Sequence, residues 1–251
     1  MQEPAKVAAA GAAPEGAQDE QSAAAAVRQM FSAVAPRYDL LNHLLSLNVD
    51  RLWWRRAARS FAPILARPDA RVLDLCCGTG DLALALRRET RDSLPLILAA
   101  DFSHPMLERA TRKFRGRNLA ALEADALRLP FADSTFDLVV SAFGFRNLAN
   151  YQSGLREMLR ILRPQGECGI LEFQEPRGFT GAVYGLYFRR VLPAVGTMIS
   201  GVRGAYAYLP ASVRRFPAGE EMLDLMRAAG FGDVSWTPYT FGIAGLFRGK
   251  K

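Results

Sequence analysis

Apolar residues recur along this chain with two different periods, and the change from one to the other divides it. Val27, Met30, Phe31 and Val34 stand at i, i+3, i+4 and i+7, the spacing of one helix face. Pro36 ends that helix or starts a new one. Leu40, Leu41, Leu44 and Leu45 continue the helical pattern, and a third stretch sets Trp53 and Trp54 among Arg51, Arg55 and Arg56. The first quarter therefore reads as helical and precedes any strand.

From Arg71 onward, short apolar runs alternate with helical ones. Residues 71–75 read as a buried strand followed by glycine punctuation, and Asp81 to Arg88 as a helix. Further strands are expected over 96–100, 119–124, 136–142 and 169–173, the last entered through the turn Pro164-Gln165-Gly166. Helices are expected over 104–114 and 152–162, and around Met222, Leu225 and Met226. Val234-Ser235-Trp236 and Phe241 to Phe247 look like closing strands. Such alternation predicts an α/β, Rossmann-like fold: a seven-stranded, mostly parallel sheet with helices on both faces and its ligand edge at the strand C-termini. The expected organisation is a disordered tail over 1–22 and a single domain over 23–251. Within that domain, 23–66 is an N-terminal helical lid and 176–217 a cap or substrate insertion.

The strand ends carry the candidate chemistry. The first strand runs into Asp74-Leu75-Cys76-Cys77-Gly78-Thr79-Gly80-Asp81. Glycines there permit a sharp turn and close approach of a ligand to the backbone. By itself this loop is ambiguous, because Gly78, Gly80 and Ala83 also satisfy a dinucleotide pattern, and a plain structural turn is a third reading. Asp74 lies inside the strand end, where a carboxylate sits poorly beside a pyrophosphate but suits a cationic amino acid group. Asp101 ends the second strand, placed to accept ribose hydroxyls in either kind of nucleoside site. Asp125-Ala126 follows the third strand, with Leu129-Pro130-Phe131 behind it, a setting for an adenine amino group and ring. Each acid alone reads as a cap or turn residue. Three in succession favour S-adenosylmethionine as cofactor.

Composition narrows the partners. The 251 residues include 32 Lys and Arg against 25 Asp and Glu, a formal charge of +7. That balance suits an acidic partner such as an anionic membrane surface, a phosphorylated substrate or nucleic acid, or is simply a basic soluble surface. No base-methylating motif or RNA-binding module is evident, so nucleic acid is not expected. Three cysteines, Cys76, Cys77 and Cys168, make no disulfide framework and no metal spacing. They fit a reducing, cytoplasmic compartment. A reactive thiol in the Cys76-Cys77 pair is a minor reading. Phe179 to Ser200 is interrupted by Arg189, Arg190 and Pro193, so no bilayer span is expected.

The chain resembles a known family. Asp74 to Leu82, Leu129-Pro130-Phe131 with Phe136-Asp137, and Leu171-Glu172-Phe173 are shared by many class I methyltransferases. Val34 to Asp39 with Asn42, Arg51-Leu52-Trp53, Phe143 to Leu148, and Tyr206-Ala207-Tyr208-Leu209-Pro210 are more specific. Together they resemble the ubiquinone/menaquinone biosynthesis C-methyltransferases, from about Val27 to Arg248. The resemblance implies methylation of a ring carbon on a polyprenylated quinol: demethylmenaquinol, or a methoxy-benzoquinol in the ubiquinone branch. It implies cofactor contacts at Thr79, Asp101, Asp125 and Ala126, and at Ala142, where relatives carry serine; Asp74, Gly78 and Gly80 complete the expected set. Arg146 and Asn147 are the expected catalytic pair, orienting the quinol oxygen, stabilising its anion and positioning a water as proton acceptor. Tyr38, Asp39 and Asn42 are expected lid residues, and Tyr206 a substrate residue. A homodimer follows the family's habit. The chain departs from the pattern at Asn48-Val49-Asp50, where Gly-x-His is usual, at Gly201 to Ala205 and at Ala211. His43 is a weak candidate base. Trp53 and Trp54 among arginines suit a membrane interface at the inner face, or a packed helix with snorkelling arginines. Competing readings are another small-molecule methyltransferase, a non-catalytic quinone-binding assembly module and, more distantly, an NAD-dependent oxidoreductase.

Overall fold

The computed structural model describes residues 11–39, 43, 46, 48–90, 93–176, 185 and 205–251. Its first helix, α1 (Glu20–Val34), begins seven residues before the periodic run that announced it. Asp19 caps it by accepting from the Ser22 amide at 2.7 Å, and the Ser22 hydroxyl accepts in return from the Asp19 amide at 3.1 Å. Part of the stretch expected as a loose tail is thus helical. Upstream of it, the Ala12 amide donates to the Leu148 carbonyl at 2.7 Å, and Arg215 donates to the Ala13 carbonyl at 2.8 Å. A turn of 3-10 helix, Ala35–Arg37, follows at Pro36. Helix α2 (Val49–Ser60) carries both tryptophans, and one further turn, Ala62–Leu65, leads into the sheet.

Strand β1 (Arg71–Leu75) is buried from Val72 onward, so its hydrophobic run fits a strand covered on both faces. After α3 (Asp81–Glu89) come β2 (Leu96–Asp101), α4 (His104–Phe114), β3 (Ala120–Glu123) and β4 (Phe136–Ala142). A 3-10 turn, Phe145–Asn147, precedes α5 (Tyr151–Ile161) and β5 (Leu162–Phe173). The end of the chain gives α6 (Ala205–Arg215), α7 (Gly219–Ala229), β6 (Gly232–Tyr239) and β7 (Ala244–Lys250). Of the cap expected over 176–217, residues 177–184 and 186–204 lie outside the described part.

The seven strands form one sheet in the order β3-β2-β1-β4-β5-β7-β6. The first five are parallel, and β7 runs antiparallel between β5 and β6. Alternate strand residues divide the core between the two faces, as the two-residue period of a strand requires. Leu73, Val139, Ile170 and Phe247 pack under α5 and α7 with Leu155, Met158 and Met226. Val72, Val140, Leu171 and Leu246 pack on the other face with Trp53, Phe61, Leu86 and Phe114. The strand order reverses between β1 and β4, and the crevice above that reversal is where an open α/β sheet receives its ligand.

Candidate active site

A cavity of about 410 Å³ opens above the C-terminal ends of β1 and β4. That volume suits a small-molecule or cofactor site. It is assembled from all parts of the chain: α1, the strand-end loops, α6 and the turn between β6 and β7.

One end is built from the β1, β2 and β3 loops. Cys76 and Gly78 adopt left-handed backbone angles, with φ of 55° and 54°, and turn the chain across the end of the sheet. The Asp101 carboxylate receives the Gly78 amide at 2.8 Å and the Ser103 amide at 2.9 Å, tying the loop to β2. Burial pushes the Asp101 carboxyl up to about 6 against those hydrogen bonds. Asp74 is fully buried, and one of its oxygens accepts from the Ala83 amide at 2.9 Å. Its other oxygen has no partner. Desolvation, with Asp101 and Asp81 nearby, raises the Asp74 carboxyl well above the ordinary range. An uncompensated acceptor facing a cavity fits a cationic ligand group, and Asp101 and Asp125 line the same space.

Thr79 lies at this end, but its hydroxyl is engaged: it donates to Asp39 at 2.5 Å, and Lys113 bridges Asp39 and Asp81 at 2.8 and 3.0 Å. Asp39 therefore reaches the glycine loop through Thr79 and does not itself line the cavity. Gly80 is not part of the lining either. Its φ of 85° and the 2.4 Å that a Cβ would leave to the Phe114 ring explain the glycine by close packing instead. Ala126 and Ala142 line the cavity, whereas Ser141 does not. The Cys76 and Cys77 thiols are pushed well up by burial, with Asp101 and Asp74 adding to the effect, so both stay protonated and the reactive-thiol reading finds no support.

The other end is aromatic with a few polar groups. Phe143 and Phe173 lie 4.4 Å apart, centroid to centroid, and Trp53 packs against both. The Trp53 indole donates to Thr240 at 2.8 Å, joining α2 to the β6–β7 turn. Gly144 lets the β4 loop pass over β1: a Cβ there would stand 2.4 Å from the Cys76 Cβ. The next turn places Arg146 and Asn147 in the cavity wall, both buried. Arg146 donates to Glu172 at 2.9 Å, and its backbone amide bonds the same carboxylate at 3.0 Å. Burial opposes the charge on Arg146, but the carboxylate of Glu172 outweighs it and holds the guanidinium charged. Three polar atoms in this wall lack partners: Arg146 Nε, Asn147 Oδ1 and the Tyr208 hydroxyl. A donor, an acceptor and a hydroxyl left unmatched around one apolar space suit a ligand that carries hydroxyl groups.

Tyr38 lines the cavity as expected. Asn42 lies outside the described residues, and so does the side chain of Tyr206. Tyr208, two positions along the same helix, lines the cavity. Of the Tyr206 to Pro210 motif, the residue expected at the substrate is Tyr206, and the tyrosine seen in the cavity wall is Tyr208. Nothing in the sequence signalled Thr240.

A glycine loop, acids at three neighbouring strand ends and a deep two-ended cavity on this sheet define an S-adenosylmethionine-dependent methyltransferase. A sequence model of the ubiE/COQ5 methyltransferase family matches residues 17–251, and the chain belongs to that family. It is 48% identical over 236 residues to the demethylmenaquinone methyltransferase of Deinococcus radiodurans, covering 93% of this chain and 95% of that one. It is 45% identical over 230 residues to the ubiquinone/menaquinone biosynthesis C-methyltransferase UbiE of Geobacter sulfurreducens, covering 90% and 88%. Among solved structures, a SAM-dependent methyltransferase from Thermotoga maritima superposes with a TM-score of 0.62 at 21% identity, covering 90% of this chain and 99% of that one, which speaks to the fold alone.

Proposed function

We propose that this enzyme transfers the methyl group of S-adenosylmethionine to a ring carbon of a polyprenylated quinol, converting demethylmenaquinol to menaquinol. The observation that carries this reading is the pairing, within one cavity, of an acid-lined end with an aromatic end that holds three unmatched polar atoms. The names of the two relatives point the same way. The cofactor supplies an electrophilic methyl on sulfur. Asp74 takes its ammonium group, Asp101 its ribose hydroxyls and Asp125 its adenine amino group, with Gly78, Ala126 and Ala142 in backbone contact. The aromatic wall of Trp53, Phe143 and Phe173 flanks the acceptor ring.

Carbon attacks well only when a ring oxygen is ionised, so the protein must favour the quinolate and align it with the methyl. Arg146 and Asn147 hold the oxygen and stabilise its negative charge, joined by Tyr208. Arginine stays protonated and is no base, so a water held by this pair receives the proton. Tyr38 and the Asp39–Thr79 link bring the N-terminal helices over the site, where a closed lid excludes water from the transfer.

The quinol's tail comes from a bilayer, and the rim of the aromatic end suits one. Leu52 and Phe241 are 62% and 85% exposed, and their neighbours Trp53 and Thr240 are hydrogen-bonded. Arg51, Arg55 and Arg56 are exposed on the same helix as Leu52. Among the described residues no helix is long and apolar enough to cross a membrane. We place the enzyme on the cytoplasmic face of the membrane, resting on this rim.

The test is transfer of labelled methyl from S-adenosylmethionine to reduced demethylmenaquinone, with a demethylated ubiquinone precursor in parallel. Carbon-methylated naphthoquinol is the expected product. Labelled benzoquinol alone would move the enzyme to the ubiquinone branch, the alternative suggested by the name of the Geobacter relative. Cofactor binding with neither product would refute the quinol assignment.

A further inference from the structure

Away from the cofactor loops, Asp50 is the one carboxylate among the described residues that lines the cavity. It is 4% exposed, a costly setting for an acid without partners. It sits in the first turn of α2, one helical turn before Trp53 and Trp54, which line the same space. Its Oδ1 accepts from the Arg51 amide at 2.8 Å, and its Oδ2 meets His43 Nδ1 at 2.8 Å. The His43 ring stands edge-on to Trp54, with 5.9 Å between centroids. Its side chain is 21% exposed, so the imidazole spans from the buried acid toward water.

We propose that Asp50 and His43 form the proton exit of the methyl transfer, a reading that rests on the quinol assignment above. Arg146 is already protonated, held so by Glu172, and can accept no proton, and the acids at the far end serve the cofactor. The hydroxyl proton of the quinol passes, through the water at Arg146, to the Asp50 carboxylate. The O–H electron pair stays on oxygen. The ring carbon then bonds to the methyl as the carbon–sulfur bond breaks, its electron pair going to sulfur. Loss of the ring hydrogen as a proton restores aromaticity and returns a proton to the oxygen, so one proton leaves per turnover. His43 shares that proton across the Oδ2–Nδ1 bond and, being partly exposed, releases it to solvent. Asp50 is thus a catalytic residue, and His43 acts through it.

The test compares wild type with Asp50→Asn and His43→Gln under anaerobic conditions, using reduced short-tailed demethylmenaquinone. The readouts are kcat, KM for the quinol and S-adenosylmethionine affinity by calorimetry. General-base contributions of this kind run to about 100-fold or more. Each variant should lose at least about tenfold in kcat at pH 7, and the double variant should lose little more than the worse single one. Cofactor affinity should stay within about twofold. The deficit should shrink as pH rises toward 9, because more quinol arrives already ionised and needs no acceptor. Among the described residues, Arg51 adjoins Asp50 on the same helix, and Tyr38, Arg146 and Tyr208 line the same cavity outside the cofactor loops; none is altered. His43→Gln changes a partly exposed side chain, so it tests the idea even if Asp50→Asn folds poorly. Added imidazole should restore part of the activity of His43→Ala. Unchanged kcat in both variants, or a loss of equal size at every pH, would overturn the proton exit. Wild type without any methylated quinol would instead refute the reading on which it rests.

Discussion

Asp101 combines two demands at one side chain. Its proposed place beside a cationic cofactor favours the ionised carboxylate, yet burial raises it to about 6. A carboxyl raised in the folded state favours the fold below its unfolded value of 3.8 and loses that contribution as pH climbs through 6. Cofactor binding runs the other way, because it requires the ionised form. Through Asp101, S-adenosylmethionine affinity should therefore weaken about tenfold from pH 7 to pH 5. Calorimetric titration at the two pH values checks this, and equal affinities would show that Asp101 does not contact the cofactor in its ionised form. The three acids were legible in the sequence because each ends a strand, and strand ends of a parallel sheet share one edge. Thr240 was not, because it meets the site through a contact between distant segments, and on α6 the sequence marked Tyr206 where Tyr208 lines the wall. The Trp53–Thr240 bond joins positions 187 residues apart.

At the scale of elements, strands and helices with strong periods were foreseen nearly to the residue, and the failures lie where short-range chemistry overrides period. The turn expected at Pro164-Gln165-Gly166 is instead absorbed into β5. Leu162 already pairs with Phe136, the register shifts before Leu138, and Gln165 takes the left-handed angle of 66° that lets the strand continue. The early start of α1 was hidden in an alanine-rich stretch whose informative residues were Asp19 and Ser22. Helix α5 uses a similar device: Asn150 accepts from the Ser153 amide at 2.9 Å and also bonds Glu20 of α1 at 2.8 Å. Asn150→Ala should cost about 1 kcal/mol of stability, read from the midpoint of urea unfolding at constant slope. Arg146 and Asn147 precede this cap by only a few residues, so a larger loss would mean that the cap also holds the catalytic turn in place.

For the whole molecule, the charge of +7 bears on the proposed membrane contact through α2, where Arg51, Arg55 and Arg56 are exposed beside exposed Leu52. The sequence offered an anionic membrane among several acidic partners and pointed to the arginines around Trp53 and Trp54. In the fold, the Trp53–Thr240 bond brings the chain next to exposed Phe241 against the helix that carries exposed Leu52. Sedimentation with vesicles rich in phosphatidylglycerol should capture the protein at low salt and release it as ionic strength rises. Replacing both Leu52 and Phe241 with serine should weaken capture while leaving cofactor affinity unchanged. Equal binding to neutral vesicles, or no loss in the double variant, would argue against this face.

The insertion of β7 between β5 and β6 also sets a schedule for synthesis. The chain is made from its N-terminus, and every cofactor loop is complete once β4 has emerged. The sheet nevertheless stays open beside β5 until Ala244–Lys250 arrive to fill the gap, with Gln165 and Gly166 bonded to Lys251 beyond them. Trp53, made early, waits through most of translation for Thr240. Until β7 is made, β5 therefore keeps an unpaired edge beside the strand-end loops, and only the final strand covers it.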